Sequence, residues 1–181
     1  SIFAVTRDQD GENHGRLLQF MDSDGKNHRW AMPMELLAGD GHEYRKILLS
    51  MGLQIAPGRK IRDLLTMYIQ TANPCLKARC VSKTGWIGNS YVFPDKTIGE
   101  EESIIFQSPA KITQYYQVNG SLEGWKEHIA KYCVDNSRLS FAVSAAFAAP
   151  LLYIVGQENC GFHFRGPSSN GKTTTLKIAA S

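Results

Sequence analysis

The sequence predicts a mixed α and β chain in three parts. These are an α+β domain over residues 1–117, a helical connector over 118–160, and the opening strand, loop and helix of an α/β domain over 161–181. Three observations predict it. Short apolar runs broken by Gly, Pro and Asp fill the first 117 residues, with two helical patterns among them. Near Val118 the composition shifts to longer helical segments, ending in an Ala-rich, almost uncharged run from Leu139 to Leu152. A glycine loop near the C-terminal end then follows an alternating apolar run and precedes a helical one.

The elements follow in order. Ser1 to Val5 reads as a strand interior. Asp22 to Asn27 is a polar turn with an Asp-Gly step between Leu17-Leu18-Gln19-Phe20 and His28-Arg29-Trp30-Ala31-Met32, which predicts a β-hairpin. Gly41 to Met51 sets Tyr44, Ile47, Leu48 and Met51 at helical spacing, with Gly52 as a stop. Lys60 to Thr71 carries Ile61, Leu64, Leu65, Tyr68 and Ile69 on one helical stripe, ended by Asn73-Pro74. Cys75 to Val81, Gly85 to Gly88, Tyr91 to Pro94 and Ile104 to Phe106 read as strands of one small twisted sheet.

Ser121 is a fitting N-cap for a helix to about Cys133, with Glu123 in the first turn where the helix dipole favours an acid. Asn136 is a second N-cap. The helix from Leu139 is expected to be buried on most sides, and Pro150 to kink it or end it. Gly161-Phe162-His163-Phe164-Arg165 reads as a strand running into the glycine loop.

Bulk properties bound the function. A net charge of +3 permits nucleic-acid binding without indicating it. No signal-peptide pattern opens the chain. The longest apolar run, Phe141 to Val155, is broken by Ser144 and Pro150 and is too short to span a bilayer. The expectation is a cytoplasmic protein without a membrane partner, its four cysteines buried thiols in a reducing compartment. The abrupt strand at the start and helix at the end read as a piece cut from a longer protein.

The loop carries the chemistry. Gly166-Pro167-Ser168-Ser169-Asn170-Gly171-Lys172-Thr173 fits G-x-x-x-x-G-K-[ST] at every fixed position. A chance match in a chain of this length is on the order of one in a few hundred. Gly166 and Gly171 allow backbone angles and a close approach that a Cβ would block. The helix starting near Lys172 would aim its positive end at phosphates. Lys172, the residue expected to serve catalysis, would reach the β- and γ-phosphate oxygens of ATP, and the Thr173 hydroxyl would coordinate Mg²⁺. Ser168, Ser169 and Asn170 complete the loop, and Thr174 would touch the α-phosphate. The fold class is therefore an α+β N-terminal domain joined by helices to the beginning of an α/β P-loop NTPase domain. A Gly/Ser-rich turn before a helix is the competing reading. Only eight residues follow Thr173, so no acidic Walker B strand comes after the loop, and this chain is not expected to hydrolyse ATP.

Other groups admit two readings each. Cys75 and Cys80 have a spacing zinc sites use, but no second pair follows. Lys77, Arg79 and Lys83 with Trp86, Tyr91 and Phe93 read as a single-strand-binding sheet face or as core with solvated charges. His163 and Arg165 read as a subunit contact or a solvated strand face. Arg7, Arg16 and Arg59-Lys60-Arg62 suit phosphate contacts or solvated ends. Trp125, Ile129 and Tyr132 form a core-facing stripe. His14, His28, His42 and His128 have no ligand spacing.

The runs Leu122-Glu123-Gly124-Trp125, Arg138 to Leu152, Gly161 to Gly166 and Ser169 to Thr174 resemble the family called domain of unknown function 927. The likeness is strongest over residues 118–181 and extends to Gly85-Trp86. It implies the helicase part of a phage or mobile-element primase–helicase: an ATP-driven motor on DNA, arranged as a homo-oligomeric ring. Two other functions stay open. Residues 1–117 would be a DNA- or partner-binding module switched by the NTPase, or the protein would be a P-loop kinase or NTPase that does not act on nucleic acid.

Overall fold

The structure, a computed structural model, describes residues 1–99, 103–108, 116–168 and 170–181. The chain is a mixed α+β protein that forms two compact units, Ser1–Tyr116 and Gln117–Ser181.

The first unit is built on a five-stranded sheet. Strands β1 (Ile2–Arg7), β2 (Gly15–Met21) and β3 (Asn27–Pro33) pair antiparallel in sequence, as the hairpin pattern predicts. Helices α1 (His42–Ser50) and α2 (Arg59–Thr71) follow, at the positions their periodicity predicts. The chain then returns through β4 (Lys77–Val81), parallel to β1, and later β8 (Ile104–Phe106), parallel to β4. The order is β3-β2-β1-β4-β8. Between β4 and β8 lies a separate antiparallel sheet of β5 (Gly85–Ile87), β6 (Ser90–Val92) and β7 (Thr97–Ile98). The single small sheet expected here is thus two sheets. Apolar runs of similar composition do not reveal which edge each strand joins.

Strand alternation divides the large sheet into two faces. Leu18, Trp30 and Met32 meet Tyr44 and Leu48 of α1 and Ile69 of α2. Each fully buried side chain of this kind contributes roughly 1.5–3 kcal/mol. The phenol of Tyr44, wholly buried, shares a 2.7 Å hydrogen bond with the Thr66 hydroxyl, so its burial costs no unpaired polar group. The opposite face carries the smaller Ala4, Ala31 and Ala78 with Leu17, and Cys80 and Ile105 beside them.

Small residues let this face curl, and the two edges meet through one side chain. Gln107, just after β8, accepts the Ala31 N–H at 2.7 Å and donates to the Ala31 carbonyl at 3.0 Å. Its amide acts as one rung of ladder between the outermost strands.

The β2–β3 turn is held by Asp22. One carboxylate oxygen accepts the Asp24 and Lys26 backbone N–H groups, and the other lies 2.6 Å from His28 Nε2. The His28 ring stacks on Phe20. The His28 bond, ahead of the backbone donors, holds the Asp22 carboxyl below the usual carboxylate range.

The second unit is helical among its described residues. It contains α3 (Leu122–His128), a 3-10 turn (Ala130–Cys133), α4 (Ser137–Ala148), α5 (Leu151–Ile154) and α6 (Lys172–Ala179). Ser121 and Asn136 cap α3 and α4 through side-chain oxygens that accept the Gly124 and Leu139 N–H groups. Helix α3 stops earlier than expected, where Ile129 leaves helical geometry and the chain tightens into the 3-10 turn. Pro150 ends one helix and opens the next.

Two expectations are corrected in this unit, and a third concerns the cysteines of both units. Helix α4 is not buried on most sides: Ala142 alone is buried in it, and Phe147 is 61% exposed. A low-charge helix buries only the face its neighbours reach. Residues 161–165 do not form a strand, because no strand among the described residues of this unit offers them a ladder. The four cysteines are free thiols, but Cys75 and Cys160 are exposed and only Cys80 and Cys133 are half-buried.

Replacing Gln107 by Ala should lower stability by about 1–3 kcal/mol, because the Ala31 N–H and carbonyl lose their partner; denaturant unfolding measures this. Asp22 has a folded pKa below its unfolded one, so its contribution is full above the ordinary aspartate range and drains away as pH falls through the folded value. Denaturation midpoints measured across acid pH should therefore fall less steeply for Asp22→Asn than for the parent chain.

Candidate functional site

The glycine loop enters α6 through one backbone switch. Gly171 has φ 75° and ψ 9°, the left-handed conformation, and Lys172 is the first residue of the helix. An L-residue pays about 1–2 kcal/mol to sit there. The Gly171 carbonyl accepts both the Thr175 N–H at 2.8 Å and the Thr175 hydroxyl at 3.0 Å, which ties the loop end to the first turn.

Lys172 is half-buried and reaches back over the loop. Its ammonium donates to the Gly166 carbonyl at 3.0 Å and to the Pro167 carbonyl at 2.5 Å. Gly166 lies close to the Asn170 side chain, whose amide nitrogen would stand 3.3 Å from a Cβ at that position. The structure thus brings Gly166, Asn170, Gly171 and Lys172 into one turn around the start of α6. Ser168 is an exposed loop residue, and Thr173 and Thr174 are exposed in the first helical turn. Ser169 lies outside the described residues.

The unit supports the loop from both sides. Helix α6 packs on α4. Phe162 and Phe164 both set an edge against Phe141 of α4, with ring centroids 4.8 and 6.2 Å away. The period of two survives in the side chains although no ladder forms. His163 and Arg165, between and beyond them, are exposed.

Chemically, the turn offers an anion three things: the free N–H groups at a helix N-terminus, a cation on the same turn, and a hydroxyl one residue on. The exposed Thr173 is the only one of these suited to a hard cation.

The other sequence candidates separate. Lys77 and Arg79 sit on β4, whereas Trp86 and Tyr91 sit on β5 and β6 of the other sheet. No group of His, Cys, Asp or Glu among the described residues is arranged to hold a metal ion, and Cys75 and Cys80 do not form one. Arg59 faces Asp63 at 3.9 Å with both side chains mostly in solvent, an arrangement of little energetic weight. Trp125 packs edge-on against Phe147 and donates to the Ser181 hydroxyl at 3.1 Å, while Tyr132 is exposed, so the expected stripe is only partly core. A cleft in the first unit carries no motif, because its lining comes from widely separated segments.

Gly171→Ala should cost about 1–2 kcal/mol through the left-handed backbone. Gly166→Ala should cost less, since its Cβ meets only the movable end of Asn170. Thermal unfolding of the two variants side by side tests the order.

No helix among the described residues is long and apolar enough to cross a membrane. Comparison with curated proteins finds no match. The sequence profile described as "Domain of unknown function (DUF927)" matches residues 1–181, and the chain belongs to that family along its whole length.

Proposed function

We propose that Gly166 to Thr173 binds the phosphates of ATP together with Mg²⁺, and that the protein is an ATP-driven helicase or translocase acting on DNA in a phage or mobile element. The observation that carries the nucleotide part is the left-handed Gly171 delivering Lys172 to the first position of α6 with its ammonium over the loop. On this reading, phosphate oxygens take the Lys172 ammonium in place of the Gly166 and Pro167 carbonyls. The amides of the loop and the first turn of α6 line an anion nest. Lys172 neutralises charge on the β- and γ-phosphates, and the Thr173 hydroxyl binds Mg²⁺. The motor on DNA and the ring of subunits rest on family resemblance.

One observation favours a second reading, in which the first unit binds DNA or a protein partner and the nucleotide switches it. Trp86 and Tyr91 are cross-strand partners with ring centroids 5.2 Å apart, Phe93 lies 4.9 Å from Tyr91, and the Lys96 ammonium stands over Phe93. Aromatic rings and a lysine on one small sheet and its β6–β7 turn suit a stacking surface for single strands.

The first test is titration of a fluorescent ATP analogue with Mg²⁺ into this chain and its variants. Lys172→Ala should weaken binding by about tenfold or more, the usual loss for a charge-assisted contact. Thr173→Ala should remove the gain that Mg²⁺ confers. Equal binding by the parent chain and Lys172→Ala would put the nucleotide elsewhere, and no binding by the parent chain would overturn the reading for residues 1–181. The second reading predicts that the chain binds a labelled single strand without nucleotide, with affinity falling steeply as salt rises.

A further inference from the structure

The first unit contains a cleft of about 460 Å³ on the small-residue face of the curled sheet, near the Gln107 closure. Its size suits one small organic group. Thr6 forms part of its wall. The residue is only 2% exposed; its hydroxyl makes no hydrogen bond to a described residue and is not among the side-chain atoms fully sealed from solvent. The adjoining Gly15 keeps the space open, since a Cβ there would come within 2.5 Å of the Thr6 hydroxyl and 2.6 Å of the Met32 carbonyl.

The charge of the lining selects the ligand. Asp8 and Glu35 contribute two carboxylates, His14 an imidazole, and no Lys or Arg lines the cleft. The Asn13 side chain, ahead of the backbone N–H groups of the same turn, keeps Asp8 ionised. One oxygen accepts the Asp10 and Glu12 backbone N–H groups at 3.0 and 2.8 Å, and the other accepts the Asn13 amide. Asn13 takes a left-handed φ of 47° in that turn. Ala31, Pro33 and Met34 add an apolar wall. Carboxylates beside an apolar wall disfavour phosphates and carboxylates. They favour a cation on a short aliphatic stem, its methylenes against the wall and its N–H groups toward Asp8, Glu35 and the Thr6 hydroxyl.

We propose that this cleft is a binding site for an amine or guanidinium group on an aliphatic stem, carried by a free small molecule or by a basic side chain of a peptide. The site is opposite in charge preference to the glycine loop and does not depend on the nucleotide reading.

Calorimetric titration of the full chain tests it with three probes: agmatine, Nα-acetyl-arginine amide and the neutral Nα-acetyl-citrulline amide. Both cations should bind saturably and the citrulline probe should not. Glu35→Gln, an exposed change that leaves the core intact, should weaken cation binding about tenfold, as loss of a charged partner does. Thr6→Val, which keeps the side-chain shape, should weaken it by a smaller factor. Lys172→Ala should leave it unchanged, which separates this site from the loop. Tighter binding of the blocked arginine than of agmatine would assign the site to a peptide side chain, and the reverse order to a free amine. Absence of saturable cation binding, equal binding of the citrulline probe, or unaltered affinity in Glu35→Gln would overturn the proposal.

Discussion

The curl of the five-stranded sheet depends on what its concave face lacks. Ala4, Ala31 and Ala78 place three methyl groups where branched or aromatic side chains would hold the strands apart. With that bulk gone, β8 comes near β3, and the Gln107 amide joins them through the Ala31 backbone. A sheet left open would expose two edges of unpaired N–H and C=O groups. Here one side chain supplies both a donor and an acceptor to the edge strand. The larger side chains are kept for the other face, where Trp30, Met32, Tyr44 and Leu48 build the main core beneath α1 and α2. The two faces thus divide the work: one supplies buried area, the other shape.

That division explains where polar chemistry appears in the first unit. The helix-covered face has little room for it, and the buried Tyr44 phenol is satisfied by Thr66. The concave face leaves space above its small residues, and polar groups from β1, the β1–β2 turn and the segment after β3 border that space. The Asp8 and Asp22 turns use the same device. In each, one carboxylate gathers the backbone N–H groups two and four residues on and a side chain. The N–H bonds fix the turn, and the side-chain partner, Asn13 for Asp8 and His28 for Asp22, leads them in keeping the carboxylate charged.

The second unit shows a different balance. Its helices are capped by Ser121 and Asn136 as local chemistry demands, yet Phe141, Phe147, Leu151 and Ile154 remain substantially exposed. The run from Gly161 to Arg165 keeps the side-chain alternation of a strand and rests Phe162 and Phe164 on Phe141. A strand is defined by pairing, and local sequence cannot supply the second partner. The turn into α6 forms without that ladder because its requirements are local: a left-handed glycine, a helix start and a lysine long enough to reach back to the loop carbonyls.

The sequence by itself determined the features whose causes lie within a few residues. The β2–β3 hairpin follows from an Asp-Gly turn between apolar runs, α1 and α2 from their 3.6-residue stripes, the Ser121 and Asn136 caps from residue type, and the loop from its fixed glycines and lysine. Tertiary structure decided what depends on distant partners. It assigned β4 and β8 to the large sheet and β5 to β7 to another, since equivalent apolar runs do not encode which edge they meet. It also set Gln107 against Ala31, 76 residues away, and gathered Thr6, Asp8 and Glu35 around one cleft. Finally, it denied residues 161–165 a ladder and left most of α4 uncovered. Local propensity records what a segment can become, but burial and pairing are properties of two surfaces, and only the folded chain decides which surfaces meet.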